Sequence, residues 1–123
     1  MKIIIDTHIY LWALAKPNKI ATEKRRELES LANTIYVSSI TIAELMIKAS
    51  LGKLTIDFDP LVLTEEMGFV PLDFSAADAV LLKTLPFHHR DPFDRMLIAQ
   101  AIAQKFSIMS DDRKFERYDC RLV

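Results

Sequence analysis

The chain is predicted to fold as an α/β sandwich, with a central, mainly parallel sheet flanked by helices. Three observations lead there. Short β-branched runs read as buried strands, longer helical stretches separate them, and no repeat, linker or low-complexity tract interrupts the alternation. With 123 residues, half of them hydrophobic, the chain has room for one domain (residues 1–123) and enough apolar material for a core.

Lys2 to Ile5 is a β-branched run that ends in Asp6, the pattern of a short buried strand. His8 to Ala15 reads as a helix stopped by Pro17. Ala21 to Leu31 is a second, highly charged helix with Leu28 and Leu31 on its apolar side. Ile35 to Val37 is the next strand, closed by Ser38 and Ser39. Thr41 to Leu51 is helical, with Gly52 as its C-terminal stop. Asp59 or Pro60 opens a helix that closes near Gly68; Phe69 to Leu72 is a strand, and Ser75 caps a helix through Leu85. Asp91 is a natural N-cap with Pro92 at the first helical position. From Phe93 to Phe106 the chain is apolar almost all round, so this helix should be largely buried. Ser107 to Met109 is a last central strand, and Arg121 to Val123 an edge strand. Met46, Met96 and Met109 read as core.

Composition narrows the function classes. Low hydrophobicity with high net charge, the mark of disorder, is absent. Cys120 is the only cysteine, so no internal disulfide forms and a reducing compartment fits. Asp6 and His8 break the apolar start, and Ile9 to Ala15 is too short to span a membrane. The protein is expected to be soluble and cytoplasmic. The net charge of −1 conceals one feature: if Asp6, Glu44, Asp91, Asp94 and Asp112 share a pocket, the remaining surface is net positive and suits a phosphate backbone.

Ligands in parallel α/β sheets bind outside the carboxyl ends of the strands. Asp6 directly follows the first strand and Asp112 the last central one. Glu44 lies in the opening turns of the helix after Ile35 to Val37. Asp91 and Asp94 open the long buried helix. Two carboxylates about 5 Å apart repel by roughly 3 kcal/mol at an effective dielectric near 20, so a converged cluster needs cations or protons. All-oxygen ligation favours Mg²⁺ or Mn²⁺. Each acid also has a plainer reading. Thr41 to Glu44 matches a capping box, Asp91 an N-cap, Asp94 a helix-dipole partner, and Asp111 and Asp112 turn residues. Asp6 alone lacks an obvious structural duty.

The combination is more specific than its parts. Ile3-Ile4-Ile5-Asp6-Thr7-His8 with Leu11-Trp12-Ala13-Leu14, Ser38-Ser39-Ile40-Thr41-Ile42-Ala43-Glu44-Leu45, Arg90 to Ala101 with its Asp-Pro-Phe-Asp signature, and Ile108 to Phe115 resemble, in order and spacing, the four blocks of PIN-domain proteins of the VapC toxin type. The resemblance covers essentially the whole chain. It implies a PIN-like sandwich and a Mg²⁺- or Mn²⁺-dependent endoribonuclease, with Asp6, Glu44, Asp94 and Asp112 as core acids. Asp91 is then an accessory ligand or only a cap, and Ser110 orients Asp6. It also implies an RNA substrate, a cognate antitoxin protein and a homodimer. Asp6, Asp94 and Asp112 would hold a metal that polarises the scissile phosphate, and Glu44 the attacking water; Arg95, Arg113 and Lys114 are candidate phosphate contacts or solvated charges. The doubled Asp111-Asp112 leaves the fourth acid to be decided, and the family spacing selects Asp112.

His88 and His89 read as loop residues ahead of the Asp91 cap, since imidazole is not the ligand an oxygen-rich site needs. Tyr10, Leu11 and Trp12 are core or interface residues. The rival readings are a receiver-like phosphoacceptor domain, a haloacid-dehalogenase-like phosphatase and a catalytically inactive PIN-like interaction module. The first would need an acid pair after the first strand and an Asp after Ile35 to Val37; the second needs Asp where His8 stands. The third is disfavoured by the presence of all four acids.

Overall fold

The computed structural model describes residues 1–123. Its elements are β1 (Lys2–Ile5), α1 (Thr7–Ala15), α2 (Thr22–Glu29), β2 (Thr34–Ser38), α3 (Ser39–Ser50), α4 (Pro60–Glu66), β3 (Val70–Leu72), α5 (Ala76–Val80), α6 (Pro92–Gln104), β4 (Ser107–Met109) and β5 (Arg121–Leu122), with 3₁₀ turns at Pro17–Lys19, Leu81–Lys83 and Arg113–Arg117. The five strands are all parallel, in the order β3-β2-β1-β4-β5. This is the α/β sandwich around a parallel sheet that the sequence predicts.

The β1 run is uninterrupted because both its faces are covered. Ile3 and Ile5 pack into one cluster with Ile9, Tyr10, Ile20, Leu45 and Phe69, while Ile4 points the other way, to Leu97, Ile98, Ile108 and Phe115. All three isoleucines are fully buried, so truncating any one to Ala should cost about 2–5 kcal/mol. The register then sets up the site. Ile5 lies opposite both Val37 and Met109, so the residues that follow (Asp6, Ser38 and Ser110) stand side by side at the carboxyl edge of the sheet.

Local signals end most helices where the sequence places them. The Asp59 carboxylate accepts from the Leu61 amide at 2.9 Å with Pro60 at the first position, and Ser75 and Asp78 form a reciprocal capping box. Gly52 and Gly68 take φ of +72° and +75°, a left-handed conformation that closes the preceding helical turns. Four expectations change. The second helix stops at Glu29, so Leu31 falls in the following turn and is fully exposed rather than on an apolar face. The helix from Ser75 is α-helical only to Val80 and then tightens to 3₁₀ through Lys83. The α3 helix begins at Ser39, because buried Ser38 takes the cap and accepts from the Ile40 amide at 3.1 Å. Met46 is 38% exposed on that helix and is not core, whereas Met109 is fully buried.

Candidate active site

Asp6 leaves β1 at the middle of the sheet edge and is 3% exposed. Contrary to the sequence reading, it has a structural duty. It is the N-cap of α1, its Oδ1 accepting from the Ile9 amide at 2.8 Å. Burial pushes its carboxyl above the ordinary range, and the Ser110 hydroxyl and the Ile9 amide oppose that rise. Ser110 is thus a hydrogen-bonding neighbour of Asp6, and its hydroxyl also accepts from the Asp112 amide at 3.0 Å.

Glu44 is not a capping-box residue. Because α3 starts at Ser39, Glu44 lies in the second turn, where no free amide needs it, and its buried carboxylate turns to the sheet edge. Oε1 accepts from the Thr7 hydroxyl at 2.7 Å and Oε2 from the Lys48 ammonium at 2.6 Å. The bond to Glu44 is the main cause that raises Lys48, and Asp91 and Asp94 add to it. Sequence reasoning assigned no site role to Thr7 or Lys48. The Glu44–Lys48 spacing of four residues was the available signal.

Asp91 caps α6, its Oδ1 accepting from the Phe93 and Asp94 amides at 2.8 and 3.3 Å. Asp94 sits in the first turn of α6, with its carboxyl pushed up to about 6. Burial is the largest cause, followed by Asp91; Asp6 and Glu44 push the same way, and His89 partly offsets them. Those causes place Asp6, Glu44, Asp91 and Asp94 in one electrostatic neighbourhood. Asp112 caps the 3₁₀ turn at Arg113–Arg117 through Oδ1, leaving Oδ2 for the pocket. Asp111 is exposed and pairs with Lys24 at 3.2 Å, away from the other acids.

The residue that sequence reasoning set aside is His89. It is 6% exposed, and its Nε2 lies 2.8 Å from Asp94 Oδ2 and 3.1 Å from Asp112 Oδ2. These three atoms lie within 4.8 Å of one another. The neighbouring His88 instead meets the Tyr118 ring edge-on, so the two histidines diverge, as adjacent residues should. The sequence showed the pair but not which one turns inward.

Arg95 also differs from expectation. It is buried and its donors are taken up by the protein itself. Its guanidinium donates to Pro86 O at 2.9 Å and Leu85 O at 3.2 Å, reaches the Tyr118 hydroxyl at 3.4 Å, and lies 3.9 Å over the Phe87 ring. Arg113 and Lys114 are exposed beside Asp112.

Four carboxylates from separate stretches of chain therefore approach one sheet edge, with Lys48 as the ammonium paired directly to one of them. Burial and the neighbouring carboxylates together disfavour the charged form of Asp94, and the hard oxygen donors fit a divalent ion of the Mg²⁺ or Mn²⁺ kind.

Fold and site define a parallel-sheet α/β domain with a carboxylate pocket at the carboxyl edge of its central strands. The chain belongs to the PIN domain family, which matches residues 3–120. No curated protein matches the sequence. Among solved structures, its backbone is similar to a chain of VapBC2 from Rickettsia felis bound to a DNA fragment from their promoter. That match has 22% identity and a TM-score of 0.72, covering 100% of this chain and 98% of that one. A chain of DNA-bound VapBC from Salmonella typhimurium matches at 20% identity and a TM-score of 0.72, over 100% and 97%. A third match is VapBC-5 from Mycobacterium tuberculosis, a member of the VapBC family of toxin–antitoxin systems. Its identity is 18% and its TM-score 0.61, over 99% and 95%.

Proposed function

We propose that this protein is a metal-dependent endoribonuclease, the toxin of a toxin–antitoxin pair. PIN domains are generally nucleases, and the observation that carries the reading is the approach of Asp6, Glu44, Asp94 and Asp112 to one sheet edge from four separate segments. Asp6, Asp94 and Asp112 would hold Mg²⁺ or Mn²⁺, with Asp91 kept to its capping role. Such an ion supplies positive charge against the scissile phosphate and eases the deprotonation of water.

The chain's own residues do the rest. The Ile9 amide and Ser110 fix Asp6, so its second oxygen keeps one direction. Thr7 and Lys48 hold Glu44 at both oxygens, leaving lone pairs able to orient a water and accept its proton. Lys48 offsets part of the charge there, so that an anionic phosphate can approach. The substrate is an accessible single strand or loop of RNA, whose backbone reaches a shallow edge that a duplex presents poorly.

The relatives captured as VapBC complexes support a small antitoxin protein as partner. The half-buried Leu11, Trp12 and Leu14 of α1 meet Leu54, Ile56 and Phe58 in an apolar groove of about 460 Å³, which would receive it. A homodimer and a cytoplasmic location complete the reading, and no helix is long and apolar enough to cross a membrane.

The test is cleavage of a structured RNA with and without millimolar Mg²⁺ or Mn²⁺. Cleavage should require the ion and vanish in Asp6→Asn and Asp94→Asn, both still folded by circular dichroism. Near-wild-type cleavage by either folded variant would remove the central claim.

A further inference from the structure

We propose that His89 is a positioning residue that ties Asp94 to Asp112 through its Nε2–H, and that it does not itself ligate the metal. The inference rests on the metal-site reading above and concerns one question left open by it: what an imidazole does between two carboxylates.

Nε2 is near enough to both acids to be taken for a third ligand. The other ring nitrogen decides. Nδ1 accepts from the Asp91 amide at 3.2 Å, and a backbone N–H can only donate. The Nδ1 lone pair is therefore engaged and the ring proton sits on Nε2, where it points at Asp94 Oδ2 and Asp112 Oδ2. An Nε2 that carries a proton has no lone pair for a cation. Ligation would need the proton on Nδ1, facing the Asp91 N–H donor to donor.

The ring is also held too firmly to turn away. It packs edge-on against fully buried Phe115 with centroids 5.9 Å apart. The His89 amide donates to the Tyr118 hydroxyl at 2.8 Å, and Arg95 braces the same loop from below through the Leu85 and Pro86 carbonyls. The donor is thus preorganised. It draws together one oxygen each of two carboxylates that repel, and leaves Asp94 Oδ1 free of protein hydrogen bonds to face a cation. An outer partner of this kind sets the orientation of its ligands, and its loss typically costs about 10–100-fold in metal affinity.

The experiment reads metal binding and the ring itself, without RNA. In the metal-free protein, ¹⁵N spectra taken where the ring is neutral should show the Nε2–H tautomer of His89, bare at Nδ1. Pulsed EPR of the Mn²⁺-loaded wild type should show no directly bound imidazole nitrogen. By calorimetry, His89→Gln, whose amide restores a donor near Nε2, should keep Mn²⁺ affinity within about threefold, while His89→Phe, which keeps ring packing without the donor, should lose about 10–100-fold. The reversed tautomer, a strong ¹⁴N coupling to Mn²⁺, or equal affinity in the Gln and Phe variants would each overturn the inference. A wild type that binds no Mn²⁺ would overturn the metal-site reading and this inference with it. Binding with a ¹⁴N coupling overturns this inference alone.

Discussion

Asp94 is the residue at which the folded chain works against itself. Its ordinary value of 3.8 rises to about 6, so between those values the folded state binds a proton that the unfolded state does not. Its contribution to stability therefore falls as pH rises from about 4 to 6, and above 6 the buried charge costs roughly 2–3 kcal/mol. In the presence of a chelator, Asp94→Asn should melt above wild type at pH 7.5, and the gap should close near pH 4. Differential scanning calorimetry across that range checks it; a gap independent of pH would show that Asp94 is not strained. The neighbouring pair Asp111 and Asp112 divides by direction. Successive side chains in extended backbone point to opposite sides, and here one oxygen of Asp112 reaches His89 while Asp111 reaches Lys24. RNA cleavage at one metal concentration should fall at least about tenfold in Asp112→Asn and little in Asp111→Asn; the reverse ranking would mean that the wrong aspartate was chosen.

Among the elements, the segment from Leu85 to Asp91 matters most, because it has no regular structure and yet carries His89 and the α6 cap. Arg95 replaces the missing backbone ladder by donating to two of its carbonyls and lying over Phe87. Removing Arg95 leaves those carbonyls without their donor, at about 1–3 kcal/mol each, so Arg95→Ala should cost about 2–5 kcal/mol. Arg95→Lys should recover little, because an ammonium cannot fork across two acceptors over a ring. Thermal melts and faster amide exchange at residues 85–91 would show this; a Lys variant as stable as wild type would refute it. The start of α3 teaches a related lesson. Ser38 and Thr41 are both acceptable caps by type, and Ser38 takes the role because it ends β2, fully buried, and the chain must turn there. That shift of three residues released Glu44 from the helix end to the site.

At the scale of the whole molecule, the parallel sheet brings acids together that lie far apart in sequence, and α1 with the Leu54–Phe58 segment lines an apolar groove. Trp12 is the only tryptophan and lines that groove, so its emission reports on the groove's occupancy. Titrating the protein with the product of an adjacent small gene should shift Trp12 emission to the blue, and Trp12→Ala should weaken binding by about 2 kcal/mol or more, as for a buried aromatic anchor. A partner that binds without changing the fluorescence would place the interface elsewhere.

Strand positions, helix caps and the run of acids at strand ends are local properties, written in β-branched runs, in Pro92 after Asp91, and in the spacing of Asp6, Glu44, Asp94 and Asp112. The sequence by itself therefore determined the fold class, the family and which acids to examine. What it could not determine was the direction of side chains in segments that lack a period. His88 and His89 are alike in type, and only the Tyr118 and Phe115 rings select which one enters the pocket. Arg95 read as a phosphate contact or a solvated charge until the loop it supports was in place. Lys48 gained its role only when Glu44 turned inward. Periodic elements repeat their directions every two or 3.6 residues, so sequence spacing reveals them. Loop side chains take theirs from contacts with distant parts of the chain, and those contacts exist only in the folded molecule.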